Sequence, residues 1–230
     1  LAFIFLLIFL GTSAFFILNS PSKLKEVEVL VVEKHGNWKG KIAQYLLSFV
    51  SPGESITPEL EDELKKELLS LPWIYKVQLK FDADKLVVKV WEESPSFYLV
   101  FNGIPYVVGE NGFVLDKGFK FPSLPTYYYV GNISPFSQEN GFLKINKLVK
   151  MKINLAEREK RGLEVGEEKP KISITDTGFV LTYRKSKVVV YLGNNPKLWG
   201  NFRTFLKKVG KPLPGIYDFR FYDMLVRGGK

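Results

Sequence analysis

The fold turns on residues Thr57 to Pro95, TPELEDELKKELLSLPWIYKVQLKFDADKLVVKVWEESP. Thr57 can cap a helix, Pro58 suits its first turn, and Glu59 and Glu61 favour the positive end of the helix dipole. Leu60, Leu64, Leu68 and Leu71 recur at helical spacing as one apolar stripe, and Pro72 stops the helix. Past it, Ile74, Val77, Leu79 and Phe81 predict a strand, Asp82 to Lys85 a turn, and Leu86, Val88 and Val90 a second strand. Trp73, where helix meets strand, is expected to plug the core with its large ring. Glu92 and Glu93 are neighbours on a strand, so they point to opposite faces and form no converging acid–base pair.

Upstream, Val27, Val29 and Val31 alternate with Glu26, Glu28 and Leu30 and predict a strand running to Glu33. His35-Gly36-Asn37 is a turn, and Ile42, Tyr45, Leu46 and Phe49 predict a helix over 38–50. The order over 24–92 is therefore strand, helix, helix, strand, strand, with both helices on one sheet face and an edge strand left open. Residues 1–18 carry no charge, and at about 1.5 Å per residue their helix would just span a bilayer core, so 1–20 are expected to form a transmembrane anchor. A cleaved signal peptide is the rival reading, because Thr12-Ser13-Ala14 offers small residues for a peptidase.

Downstream, residues 93–230 are expected to form a second α+β domain with a mainly antiparallel sheet and two helices. Gly109-Glu110-Asn111 is a hairpin turn between apolar runs. Residues 136–161 are expected to be one lysine-rich helix with Leu143, Leu148, Ile153 and Leu155 among its apolar positions and its lysines on a solvated face. Three strands follow over 171–175, 178–184 and 187–192; Asn194-Asn195-Pro196 opens a helix through Trp199, Phe202, Phe205, Leu206 and Val209. The last strand is expected over 216–227, with Tyr217, Phe219 and Phe221 on the core face and Arg220, Tyr222, Met224 and Val226 on the other.

The strand ending at Gly36-Asn37, the two helices, Leu71-Pro72-Trp73-Ile74-x-x-Val77, the hairpin and Val90-x-Glu92-x-x-Pro95 together resemble a POTRA domain. More narrowly, they resemble the one in the FtsQ family of bacterial cell division proteins, called DivIB in some bacteria. Three later segments keep that family's order: Tyr106 to Val114, Phe121-Pro122-Ser123-Leu124 with Gly131, and Val190-Tyr191-Leu192-Gly193 followed by a helix and Ile216-Tyr217-Asp218-Phe219-Arg220-Phe221. Departures are Gly109 in place of the usual aspartate, a longer spacing to Gly131, one residue extra at Tyr217, and Phe219 and Phe221 in place of leucine and tyrosine. The resemblance implies an inner-membrane scaffold at the division septum, with the bulk of the chain extracytoplasmic. It implies as partners the bitopic proteins FtsB (DivIC in some lineages) and FtsL, held by strand addition along the final strand. By the resemblance, partner contacts would fall to Arg220 and Phe221, and the alternation of the strand adds Tyr222, Met224 and Val226 on its second face. The alternative is another POTRA-bearing protein that docks exported or outer-membrane polypeptides.

Composition narrows the chemistry. Cysteine is absent and histidine occurs once, at His35, which removes thiol nucleophiles, thiolate metal sites and most general-base arrangements. No phosphate-binding loop, dinucleotide fingerprint, zinc spacing or nucleophile elbow is present. The chain is therefore expected to be a binding protein and not an enzyme, with no catalytic residue, metal, cofactor or small-molecule substrate. A net charge of +9, supplied mostly by lysine, would suit anionic lipid or polymer, but no base-reading motif accompanies it and no nucleic-acid partner is expected.

Overall fold

The computed structural model describes residues 23–51, 53–55, 57–82, 84–221 and 225–228, the last four by backbone alone. It divides into two compact units between Glu93 and Ser94. The first unit runs β1 (Glu26–Glu33), α1 (Lys39–Phe49), α2 (Pro58–Ser70), β2 (Ile74–Asp82) and β3 (Lys85–Glu92). Thr57 Oγ1 accepts the Leu60 N–H at 3.2 Å, Pro58 stands in the first turn, and Leu64 and Leu68 are buried beneath α2. The sheet order is β1-β3-β2, with β3 parallel to β1 and antiparallel to β2.

Central β3 alternates strictly. Leu86, Val88 and Val90 face the helices, and Glu92 continues the same row, so it too is buried. Its carboxylate is satisfied by backbone: Oε2 accepts the His35 and Gly36 N–H groups at 2.8 and 2.7 Å, and Oε1 accepts Trp38 N–H at 3.4 Å. Glu93, the next residue, is buried as well. The tryptophan that fills this core is Trp38, 1 % exposed, while Trp73 is half-buried beneath the Lys41 ammonium. Gly36 is needed here because a Cβ on it would fall 2.5 Å from the Trp38 ring.

The second unit is built on nine strands: β4 (Pro95–Phe101), β5 (Ile104–Gly109), β6 (Val114–Lys117), β7 (Thr126–Val130), β10 (Lys171–Thr175), β11 (Phe179–Tyr183), β12 (Val188–Leu192), β13 (Gly215–Phe219) and β14 (Leu225–Gly228). Their order is β14-β13-β12-β11-β10-β7-β4-β5-β6. The sheet is mixed: β12–β13, β10–β7 and β4–β7 are parallel and the other five neighbouring pairs antiparallel. Helices α3 (Lys147–Glu159) and α4 (Pro196–Val209) bury Val149, Ile153 and Ala156, and Trp199, Phe202 and Leu206, in one core with inward residues of the sheet.

Three expectations need correction. The single helix over 136–161 is a hairpin, β8 (Phe136–Glu139) and β9 (Phe142–Ile145), followed by the shorter α3. Asn140 and Gly141 take φ of 51° and 78°, as a two-residue hairpin turn requires, and the Asn146 side chain then caps α3 by accepting the Val149 N–H at 2.8 Å. Lys152, expected on a solvated face, is 4 % exposed; its ammonium donates to the carbonyls of Thr175 and Asp176 at 2.6 and 2.8 Å and ties α3 to the β10–β11 turn. The transmembrane anchor at 1–20 lies outside the described residues, and among the described residues no helix is long and apolar enough to cross a membrane. The described helices have 11, 13, 13 and 14 residues, against roughly 20 needed for a crossing, so the described fold is α+β without a transmembrane helix.

Candidate functional site

The C-terminal margin of the large sheet gathers the sequence-predicted contact residues. β13 is held between β12 and β14, with Tyr217 opposite Val190 on one side and Val226 on the other. Tyr217 and Phe219 point to α4: Phe205 lies 5.4 and 5.7 Å from their ring centres, and Phe202 lies 5.2 Å from Phe219. The Tyr217 hydroxyl donates to the Leu213 carbonyl at 2.8 Å. This aromatic packing fixes which face of β13 is inside, because a one-residue slip would turn both rings outward.

The predicted single strand over 216–227 is broken after Phe219. Asp218 accepts the Arg220 backbone N–H at 3.0 Å, an Asx turn that offers the chain an alternative to the ladder. Phe221 consequently leaves the core row and is 67 % exposed. The Arg220 Nε donates to both oxygens of Asp218, at 3.0 and 3.1 Å, and its Nη2 donates to Oδ2. Its guanidinium lies 5.1 Å from the Tyr191 ring centre and 5.8 Å from that of Phe221. The hydrogen bonds from Arg220 hold the Asp218 carboxyl below the ordinary carboxylate range, against the opposing pull of burial.

Of the predicted contact residues, the structure brings Arg220 and Phe221 side by side at this corner. Tyr222 and Met224 lie outside the described residues. Val226 stands in β14, opposite Tyr217, where backbone alone is described. β14 is the last strand in the order, so among the described residues its outer backbone groups have no strand partner. Sequence reading missed Tyr191 and Asp218 as parts of the corner. An acid two residues before an arginine in a strand was the available signal for Asp218; Tyr191 becomes visible only through its register opposite Asp218.

Other polar clusters in this unit are structural. Tyr129 donates to Asp176 at 2.7 Å; burial first, and then this bond, push its phenol up to about 12, unsuited to general-base work near neutrality. Glu159 is held by Arg203 and Arg158, both at 2.9 Å, linking α3 to α4. Among the described residues no three acidic or imidazole groups gather to hold a metal ion. In comparison with known proteins, no family model and no curated protein matches this chain.

Proposed function

We propose that the chain is a non-catalytic scaffold of the bacterial division machinery, acting outside the cytoplasm at the inner membrane of the division septum. It links FtsB/DivIC-like and FtsL-like bitopic division proteins by protein–protein binding, with a partner segment adding as a strand to β14. The observation that carries this reading is the terminal position of β14 in the nine-strand order. An edge offers a row of backbone donors and acceptors that give affinity, while alternate side chains give selectivity. Arg220 and Phe221 stand at the start of that edge as an exposed cation and ring suited to an acidic or aromatic position on the partner. The choice of partners rests on the FtsQ/DivIB resemblance of the ordered motifs from Gly36 to Phe221.

Proline scanning tests it. Successive N–H groups of a strand point to opposite sides, so of Leu225→Pro and Val226→Pro one removes a donor to β13 and the other a donor to the partner. The folded variant that lacks the outward donor should lose capture of an FtsB-like periplasmic peptide at least tenfold. Unchanged capture by both folded variants rules out strand addition at β14. The rival docking role for exported polypeptides is favoured by one feature, the outer position of β1 in the small sheet with Leu30 and Val32 exposed. A proline at Leu30 that abolishes capture of unfolded exported polypeptide, with β14 variants neutral, would favour that role instead.

A further inference from the structure

Between Asp176 and Asp218 the sequence holds no acid, yet it holds eight lysines and arginines, close to the whole surplus of +9. The fold gathers six of them at one end of the second unit. Arg184, Lys185 and Lys187 lie in the β11–β12 turn, Lys207 and Lys208 in the last turn of α4, and Lys211 in the loop into β13. That loop is tied to the turn, because the Gly215 N–H donates to the Lys187 carbonyl at 3.1 Å. All six side chains are exposed, and among the described residues none of them forms an ion pair.

Helix stability accounts for part of this cluster, since Lys207 and Lys208 suit the negative end of the α4 dipole. It does not account for three cations in a four-residue turn. One of them, Lys187, has φ of 53°, where glycine or asparagine would be at ease. Elsewhere lysines sit beside acids, as Lys25 does with Asp84, Lys120 with Asp116 and Lys144 with Glu139. The acid that meets this cluster is Glu168, which accepts the Lys185 and Ser186 N–H groups at 2.8 and 3.0 Å, and one carboxylate does not offset six cations. Glu164 and Glu167 precede it in a stretch with Lys160, Arg161 and Lys169 of its own. Like charges gathered in this way repel, so the cluster disfavours the fold unless an anionic surface meets it.

Two apolar side chains among these cations specify that surface. Leu213 is 78 % exposed and Val209 49 %. Leu213 is presented by a stiff loop: Pro212 and Pro214 flank it, and its carbonyl accepts the Tyr217 hydroxyl at 2.8 Å. A soluble anionic polymer offers such a leucine no apolar phase. A bilayer offers it the acyl boundary and offers the cations headgroup phosphates. Nor is there a platform for stacking bases, because Tyr183 and Tyr217 are buried and Phe205 packs on Tyr217.

We infer that this end of the second unit docks on an anionic bilayer surface, with Leu213 and Val209 at the acyl boundary and the six cations on headgroup phosphates. The contact does not rest on strand addition at β14.

The chain has no cysteine, so Leu213→Cys can carry a single polarity-sensitive dye. The full chain is reconstituted with vesicles of phosphatidylcholine, alone or in equal parts with phosphatidylglycerol. A dye at this position reports on the loop itself, whichever lipid the uncharged residues 1–18 enter. It should brighten several-fold with the anionic lipid only, and raised salt should reverse the change. Joint replacement Lys207→Gln, Lys208→Gln and Lys211→Gln, at exposed unpaired positions where folding is not at stake, should abolish the brightening. The same dye at Ile133→Cys, 70 % exposed beyond the opposite end of β7 and β10, should stay dim. Equal brightening in both lipids, none in the anionic one, brightening that survives the three glutamines, or equal brightening at Ile133→Cys overturns the proposal. So does binding of soluble polyphosphate that the three glutamines abolish while the dye at Leu213→Cys stays dim on anionic vesicles, an outcome that assigns the cations to a polymer.

Discussion

Replacing Glu92 offers the sharpest check on how the first unit is held together. Its carboxylate lies in the core row of β3 and closes the turn that leads from β1 into α1. Two short bonds to Oε2 matter; the 3.4 Å bond from Trp38 is too long to contribute much. Hydrogen bonds to a charged acceptor contribute about 1.5–3 kcal/mol each, so losing both removes roughly 3–6 kcal/mol. Relief from burying the charge, and water reaching the part-buried amides, offset some of this, leaving about 2–4 kcal/mol for Glu92→Ala. Glu92→Gln keeps one oxygen for both amides as a neutral acceptor, which is about half as strong, so its cost should be roughly 1–2 kcal/mol. Three of the four tryptophans, Trp38, Trp73 and Trp91, lie in this unit, so urea unfolding followed by tryptophan fluorescence reports mainly on it. The comparison is valid where the m-value is unchanged. An alanine variant within about 0.5 kcal/mol of the parent, or a glutamine variant as unstable as the alanine one, would refute the reasoning.

Gly36→Ala should cost about 1–3 kcal/mol, because its Cβ meets the buried Trp38 ring, whereas Gly200→Ala inside α4, with nothing within 4 Å, should add about 0.5–1 kcal/mol; thermal unfolding of the two variants should shift in opposite directions. Tyr183→Phe leaves the buried Leu163 carbonyl without its hydroxyl donor and should cost about 1–3 kcal/mol in urea unfolding, with no change in volume to blame. Asp176 and Asp218 are both held below the ordinary carboxylate value of 3.8, chiefly by the Tyr129 hydroxyl and by Arg220 respectively. Their stabilising contribution is full above that value and is lost as pH falls through their lower folded values, so the second unit should unfold more readily below about pH 4. Asp176→Asn should flatten that acid limb, and an unchanged limb in the double Asn variant would assign acid sensitivity to other groups.

Much of the element order was legible because it follows from local patterns. The Thr57-Pro58-Glu59 start, the leucine stripe of α2 and the alternation of β3 each follow from one physical rule and needed no tertiary information. The errors share a different cause. Over 136–161 the lysines and scattered leucines suggest a helix, but the turn chemistry of Asn140-Gly141, both at positive φ, prevails over that composition. Lys152 was read as solvated because charge is usually exposed, and only the fold shows that two carbonyls from a distant turn converge on it. Glu92 follows the same logic: alternation set it and Glu93 on opposite faces without saying which was inside, and its partners, three amides more than fifty residues earlier in the chain, appear only once the turn is built. The anchor expected at 1–20 differs again, since it was argued from hydropathy alone and lies outside the described residues.

The corner at Arg220 shows how such distant pairings bear on binding. An open edge by itself is indifferent to register, since any extended segment can pair with it and slip by two residues without changing which face is inside. A fixed side-chain contact at one end removes that freedom. Asp218 holds Arg220 by bonds to both its oxygens, and the guanidinium lies over the Tyr191 ring, so the cation is oriented before a partner arrives. Preorganisation of that kind lowers the ordering cost of binding. Asp218→Asn should therefore weaken partner capture while leaving the Arg220 charge in place, and it should broaden the set of sequences captured. A variant that loses affinity equally for all sequences would show Asp218 acting only as the stop signal of β13.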